Sequence, residues 1–272
     1  ISNSICSNNT EHGIIITKSE HVSISDSISC YNNANGLTIS DNVSDFIISN
    51  IQSYSNTGLS TSSGIKITLA APVQNGVISD CVLHDNNFGM YLTLSDYADI
   101  IIKNCVIHDN NDDGVYIQSG GRFTLSDSYI FNNTNDGLQI YDGEDVSFNN
   151  NYITGNGGYC VILGGASNNT RVTDNILSGS NLILNNGANS TIQENNGFAT
   201  ENGGVATNMN DGGTITHGLT GTPTYVLVST NTSGVIASVT SIGSSTFTVS
   251  LKNHDGTSAN GITVYWRAYY VP

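Results

Sequence analysis

Two segments repeat an imidazole beside a carboxylate: Asp80-Cys-Val-Leu-His84-Asp85-Asn86 and Asn104-Cys-Val-Ile-His108-Asp109-Asn110. A histidine oriented by a carboxylate can accept a proton from a sugar. More acids follow at Asp112, Asp113, Asp136, Asp142, Glu144 and Asp145. Two carboxyl groups about 5 to 9.5 Å apart can share acid and base work on a glycosidic bond. Asp112 with Asp113, or Asp142 with Glu144 and Asp145, also supplies the hard oxygen ligands that calcium takes, though in no diagnostic spacing. Against catalysis stands a simple comparison. Where these segments have His-Asp-Asn, others have Tyr31-Asn-Asn33 and Phe131-Asn-Asn133. The motif therefore reads first as one version of a repeated turn. His84, Asp85, His108, Asp109 and Asp113 remain the catalytic candidates, and Asp142, Glu144 and Asp145 the metal candidates; otherwise no cofactor is expected.

The elements that position these residues are repeats. Glycine followed by alternating apolar residues recurs at Gly13-Ile-Ile-Ile, Gly36-Leu-Thr-Ile, Gly64-Ile-Lys-Ile, Gly89-Met-Tyr-Leu, Gly114-Val-Tyr-Ile and Gly137-Leu-Gln-Ile. The intervals are 23, 28, 25, 25 and 23 residues. Periods of this size mark units that bury a face only by stacking on neighbours. A second column, Asn3, Asp26, Asn50, Asp80, Asn104, Asp127, Asn150 and Asp174, is flanked by short alternating strands. Alternation gives strands, and Asn, Asp and Gly give turns. The prediction is an all-β chain: a right-handed parallel β-helix of about eight coils over residues 1–195, a linker or cap over 196–212, and a small antiparallel β-sandwich over 213–272. Ile14, Ile16, Leu37, Ile39, Ile65, Ile67, Val115, Ile117, Leu138 and Ile140 should line one core. Cys81 and Cys105 should stack as buried thiols, and the odd count of 5 cysteines leaves the redox compartment open.

Composition narrows the partners. The chain of 272 residues carries 22 acidic and 7 basic side chains, a formal net charge of −15. A sequence-independent grip on nucleic acid needs Lys and Arg to neutralise phosphates, so none is expected. An anionic membrane surface is disfavoured on the same ground, and no stretch is long and apolar enough for a membrane-spanning helix. In the terminal region Tyr225, Tyr265, Trp266, Tyr269 and Tyr270 gather in or near the last strand. They could stack on sugars or fill a core or a subunit contact. Tyr265, Trp266 and Tyr269 are the carbohydrate-binding candidates.

On the glycine and Asp/Asn columns, residues 1–195 resemble the right-handed parallel β-helix repeat family, which includes carbohydrate-active enzymes and tailspikes. Thr216-His-Gly-Leu-Thr-Gly-Thr-Pro-Thr-Tyr225, Val239-Thr-Ser-Ile-Gly243, Thr246-Phe-Thr-Val249 and Val264-Tyr-Trp-Arg-Ala268 resemble a C-terminal module of phage and archaeal-virus tail or surface proteins. That resemblance implies oligomerisation, as a homo-trimer, or surface binding. The likeness to uronic-acid epimerases and lyases breaks where it matters: Pro72, Pro223 and Pro272 are the only prolines, and none opens an Asp-Pro-His signature. The expected function is an extracellular, cell-surface or virion fibre, tailspike-like, a rigid stalk with an oligomerising or glycan-binding end. Its partners are then a cell-surface polysaccharide or glycan and further copies of itself. One alternative is a polysaccharide hydrolase, lyase or epimerase with a cleft on the β-helix flank. Another is a self-assembling filament or sheath subunit stacked end to end, since the first ladder residue, Asn3, already lies inside a coil. Catalysis is the less favoured reading.

Overall fold

The computed structural model describes residues 1–68, 73–93 and 98–272 and divides into two compact units. The first comprises residues 1–191 and 195–197, the second 192–194 and 198–272. The described residues contain strands and no helix.

The first unit is a parallel β-helix of about eight coils. Each coil contributes strands that pair in register with the coils on either side. Ile14 sits over Leu37, Leu37 over Ile65, Ile65 over Met90, Met90 over Val115, and Val115 over Leu138. Alternation decides what points inward. Val115 and Ile117 are fully buried while Tyr116 between them faces out. The ten aliphatic residues expected to line one core are all buried.

The repeated glycine has a packing role. A Cβ on Gly114 would lie 2.6 Å from both the Gly137 carbonyl oxygen and Ile130 Cγ2. No side chain fits there without moving backbone, so the coil can tighten only at glycine. The turns belong to Asn and Asp. The column Asn3, Asp26, Asn50, Asp80, Asn104, Asp127, Asn150 and Asp174 has φ between 50° and 59° throughout. These two residue types tolerate left-handed backbone best after glycine. Asp and Asn alternate strictly along the column, and the Nδ2 of Asn50, Asn104 and Asn150 donates to Asp26, Asp80 and Asp127 of the preceding coil. Among these eight residues no two carboxylates are neighbours along the column.

A second corner is filled from inside. Asn32, Asn56, Asn86, Asn110 and Asn133 are buried. The Oδ1 of each accepts both the backbone N–H and the Nδ2 of the Asn one coil earlier, as in Asn32 to Asn56 at 3.0 and 2.9 Å. The run continues from Asn9 to Asn156. Cys81 and Cys105 are fully buried, unbridged, and occupy the corner column that Ser128, Asn151 and Asn175 continue.

The second unit holds two three-stranded antiparallel sheets. Glu201–Met209, Ile262–Tyr269 and Tyr225–Thr230 form one, with Ile262–Tyr269 central; Thr214–Thr216, Thr246–Asn253 and Val235–Ile242 form the other, with Thr246–Asn253 central. Ile215, Phe247, Val249, Leu251, Ala259, Ile262 and Val264 make its core. One expectation needs correcting. Residues 196–212 are no mere linker or cap, because Glu201–Met209 pairs with the last strand from Glu201 opposite Tyr269 to Met209 opposite Ile262. Only Ala206 and Met209 of that strand pack on the core, so it lacks the apolar alternation that would have announced it.

Two substitutions check this architecture. Ile117→Asp buries an unpaired carboxylate between coils and should cost upwards of about 4 kcal/mol. Asn104→Asp sets a new carboxylate between those of Asp80 and Asp127, so that three consecutive coils carry an acid in one column. It should lower the thermal midpoint at pH 7 and recover most of the loss near pH 3, where the acids are protonated. A midpoint shift independent of pH would contradict the proposed charge alternation.

Candidate functional site

The histidines expected to do chemistry lie on the short strands Val82–His84 and Val106–His108, in register one above the other. Each Nδ1 is 2.7 Å from the carboxylate of the next residue, His84 from Asp85 and His108 from Asp109. Asp85 and Asp109 have positive φ, so each turns the chain as well as holding a ring. The two imidazoles stack at 5.1 Å, with Tyr54 5.0 Å beyond one and Phe131 4.9 Å beyond the other, all within 7° of parallel. Ring faces are thus spent on one another and only ring edges face out. Among the described residues neither dyad has a Lys or Arg ion-pair partner to stabilise a developing anion. The arrangement is a stacked turn column that carries two His–Asp pairs.

Asp113 is elsewhere on the coil and buried. It precedes Gly114 as Asn35 precedes Gly36, and its Oδ1 accepts the Asp136 backbone N–H at 2.9 Å. Asn35 makes the equivalent bond to Ser63. Burial is the chief cause that pushes the Asp113 carboxyl up to about 7, the backbone donor pulling the other way and the carboxylates of Asp112 and Asp136 adding to the rise. Asp136 is raised for the same leading reason. The metal candidates do not converge. Asp142, Glu144 and Asp145 are all exposed, and Asp145 is a corner residue accepting from Asn169. No three His, Cys, Asp or Glu side chains among the described residues form a metal cluster.

The terminal sheet is the richer place. Along Ile262–Tyr269, Tyr265, Arg267 and Tyr269 face outward while Val264, Trp266 and Ala268 face the core. Trp266 is therefore no outward platform. It packs on Phe247 at 5.5 Å, ring planes inclined 62°, and its indole edge covers Gly204. Tyr265 keeps an exposed ring, whereas Tyr269 is stacked on Tyr225 at 4.8 Å. Arg267 lies between the two tyrosines, its Nη1 donating to the Tyr269 hydroxyl at 3.2 Å. On one side is a hollow of about 350 Å³ lined by Glu201, Asn202, Gly203, Gly204, Trp266, Arg267 and Tyr269. On the other is one of about 260 Å³ lined by Leu227, Val228, Ser229, Tyr265, Trp266 and Arg267.

Glu201, Gly203, Leu227 and Arg267 were not singled out from sequence. Their signal is the paired glycine: a Cβ on Gly203 would sit 2.9 Å from Arg267 Cγ, so glycine there makes room for the guanidinium to lie across the strand. A charged, bidentate donor between two phenol rings, with an acid at the rim, can hold hydroxyl or carboxylate groups of a small polar ligand.

Asp113 offers a test of the β-helix candidates. The folded chain keeps its proton to about pH 7, while the free side chain loses it near 3.8. Folding therefore binds a proton between those values, and the stability present below pH 3.8 falls as pH rises to about 7. Asp113→Asn, which preserves the acceptor for Asp136, should flatten this slope and raise stability at pH 8 by roughly 2–4 kcal/mol. Urea titrations at pH 4, 6 and 8 measure it, and parallel pH profiles for both proteins would refute the assignment.

Comparison with known proteins bears on the fold. Residues 74–197 match the family model of the right handed beta helix region. No curated protein matches the sequence. Among solved structures, the A-module of mannuronan C-5 epimerase AlgE4 from Azotobacter vinelandii is similar at 21% identity and a TM-score of 0.52, over 64% of this chain and 56% of that one. The periplasmic alginate epimerase AlgG is similar at 15% identity and a TM-score of 0.56, over 67% of this chain and 47% of that one. The tailspike protein gp49 of Pseudomonas phage LKA1 aligns over 100% of this chain and 63% of its own, at 11% identity and a TM-score of 0.43. The chain spans about half the length of the epimerase structures, and identities this low report fold alone. The repeat region of this chain is a right-handed parallel β-helix.

Proposed function

We propose that this chain is a carbohydrate-binding surface protein, extracellular or on a virion, whose β-helix is a rigid stalk and whose terminal sheet is the recognition element. The observation that carries this reading is Arg267, flanked by Tyr265 and Tyr269 and bordered by two hollows. The hollow beside Glu201 is within the size range of a small-ligand site. Its polar rim can hydrogen-bond sugar hydroxyls, and the Tyr265 ring can lie against a sugar's C–H face. The alginate-epimerase names among the fold's neighbours are compatible with a polysaccharide partner.

A second occupant of the same face is another copy of the chain. Val205, Tyr225 and Leu227 stand out of this sheet at 57%, 48% and 59% exposure, large values for apolar side chains. The second unit has Glu194, Glu201, Asp211 and Asp255 against Lys252 and Arg267, so copies meeting here avoid most of the chain's negative charge. A trimer built this way would give the fibre of the proposed class.

Glycan-array binding followed by calorimetry on the hits tests the first reading. Arg267→Ala and Tyr265→Ala should each weaken a hit by about ten- to a hundredfold without moving the thermal midpoint. Light scattering of the same proteins reads the second occupant: a wild-type trimer that Leu227→Asp converts to monomer supports self-association. An array without hits, or hits indifferent to Arg267 and Tyr265, would overturn the recognition role.

A further inference from the structure

We propose that the β-helix carries a separate site for the anionic group of a saccharide, centred on Lys66 with Tyr91 and Tyr116. The outward residue of the strand after each repeat glycine forms a column, and register places Thr38, Lys66, Tyr91, Tyr116 and Gln139 on successive coils. Lys66 is half-buried, whereas Lys18, Lys103, Arg122 and Arg171 of the same unit are exposed. Lys66 has no carboxylate partner among the described residues. Its Nζ instead lies 4.6 Å from the centre of the Tyr91 ring and donates to Thr61 Oγ1 at 3.1 Å. Burial lowers the Lys66 ammonium below its ordinary range, and an anion bound beside it would favour the charged form again.

The neighbours complete a ligand cradle. Phe88 packs edge-on against Tyr91 at 5.2 Å, and Tyr91 and Tyr116 lie 5.1 Å apart, inclined by 47°. Tyr91 and Tyr116 are each partly exposed. The Tyr91 hydroxyl donates to Gln118 Oε1 at 2.8 Å, which fixes the ring. Burial raises both phenols above their ordinary range, and with the Tyr91 proton given to Gln118 the donor left on this pair is the Tyr116 hydroxyl. One ammonium, the Tyr116 hydroxyl and an aromatic surface on adjacent coils suit a sugar that bears a carboxylate or a sulfate. A neutral sugar would leave the lysine unanswered. The choice of a saccharide as carrier rests on the carbohydrate-binding reading above; the anion site itself stands on Lys66.

The probes are an oligogalacturonate, its methyl ester, and a sulfated oligosaccharide of equal length, titrated into the full chain by calorimetry at low and high salt. The wild type should bind at least one anionic probe, more weakly as salt rises, and the methyl ester about ten- to a hundredfold more weakly than its acid. Lys66→Gln should lose that preference with an unchanged thermal midpoint, since the side chain is only half-buried, and Lys66→Arg should retain part of it. Whether the carboxylated or the sulfated probe binds tighter names the group. Equal binding of acid and ester, no binding of either anionic probe, or anion binding intact in Lys66→Gln overturns the proposal. Because Arg267→Ala leaves Lys66 untouched, anion binding that survives it separates this site from the terminal one. An array that depends on Arg267 but never on Lys66 would sink this site and leave the terminal reading standing.

Discussion

The rest of the β-helix depends on one hydrogen-bond pattern, the buried asparagine ladder from Asn9 to Asn156. An unpaired buried amide is costly, so an asparagine can occupy a dry corner only if oxygen and nitrogen both find partners. Here the partners are supplied by adjacent coils. Asn86 shows the full set: its Oδ1 accepts from Asn56, while its Nδ2 donates to the Ser53 carbonyl at 3.0 Å and to Asn110. Each amide ties three coils at once, and none is satisfied alone. This fixes coil height and register more sharply than aliphatic packing, which tolerates sliding. Gly114 and its equivalents follow from the same constraint, because the ladder holds neighbouring coils so close that a Cβ at those positions would strike backbone.

A net charge of −15 sits uneasily on such closely spaced coils, and the corners show how it is accommodated. Acids are placed where the chain turns, with left-handed backbone that Asp tolerates, and strand positions stay largely neutral. In the column of Asp26, Asp80, Asp127 and Asp174 every carboxylate is separated from the next by an asparagine that donates to one of them. In the neighbouring column Asp85 and Asp109 do stack, but each already holds its own histidine. Each of these carboxylates is thereby held by the imidazole of the preceding residue. Where the next residue is Ser55 or Asn132 instead of an acid, Tyr54 and Phe131 stand in the same stack.

How much of this was legible beforehand depends on which positions repeat. The glycine-apolar interval and the Asp/Asn column announced the coils, their core and their corners, since each of those positions performs one duty in every coil. Glu201–Met209 was unreadable as a strand for the opposite reason. Its outward neighbours are Glu201, Gly203 and Val205, its inward ones mostly too small to form a pattern, and pairing with Ile262–Tyr269 alone defines it. The aromatic cluster of the last strand was visible, yet alternation had to be placed in register before Tyr265 and Tyr269 could be told from the inward Trp266. Lys66, Tyr91 and Tyr116 were in plain view inside the repeat motif, but at the one position of it that varies.

That variation is informative about where binding can arise. Inward positions such as Ile65, Met90, Val115 and Leu138 are constrained by packing on both sides, and glycine and asparagine positions by backbone geometry. The outward position between them is free of all three demands. There the coils carry Thr38, Lys66, Tyr91, Tyr116 and Gln139 in turn, four kinds of side chain at one structural address. A stacked scaffold can therefore change its surface one coil at a time without disturbing its core or its ladders, and neighbouring coils automatically bring the new groups into register. The same address carries Ile15 and Ile162 on other coils, so the fold accepts polar and apolar side chains there alike. The terminal sheet reaches a similar result by other means, removing a side chain at Gly203 beside Arg267. In both units the residues with unspent chemistry are those released from the interactions that hold the fold.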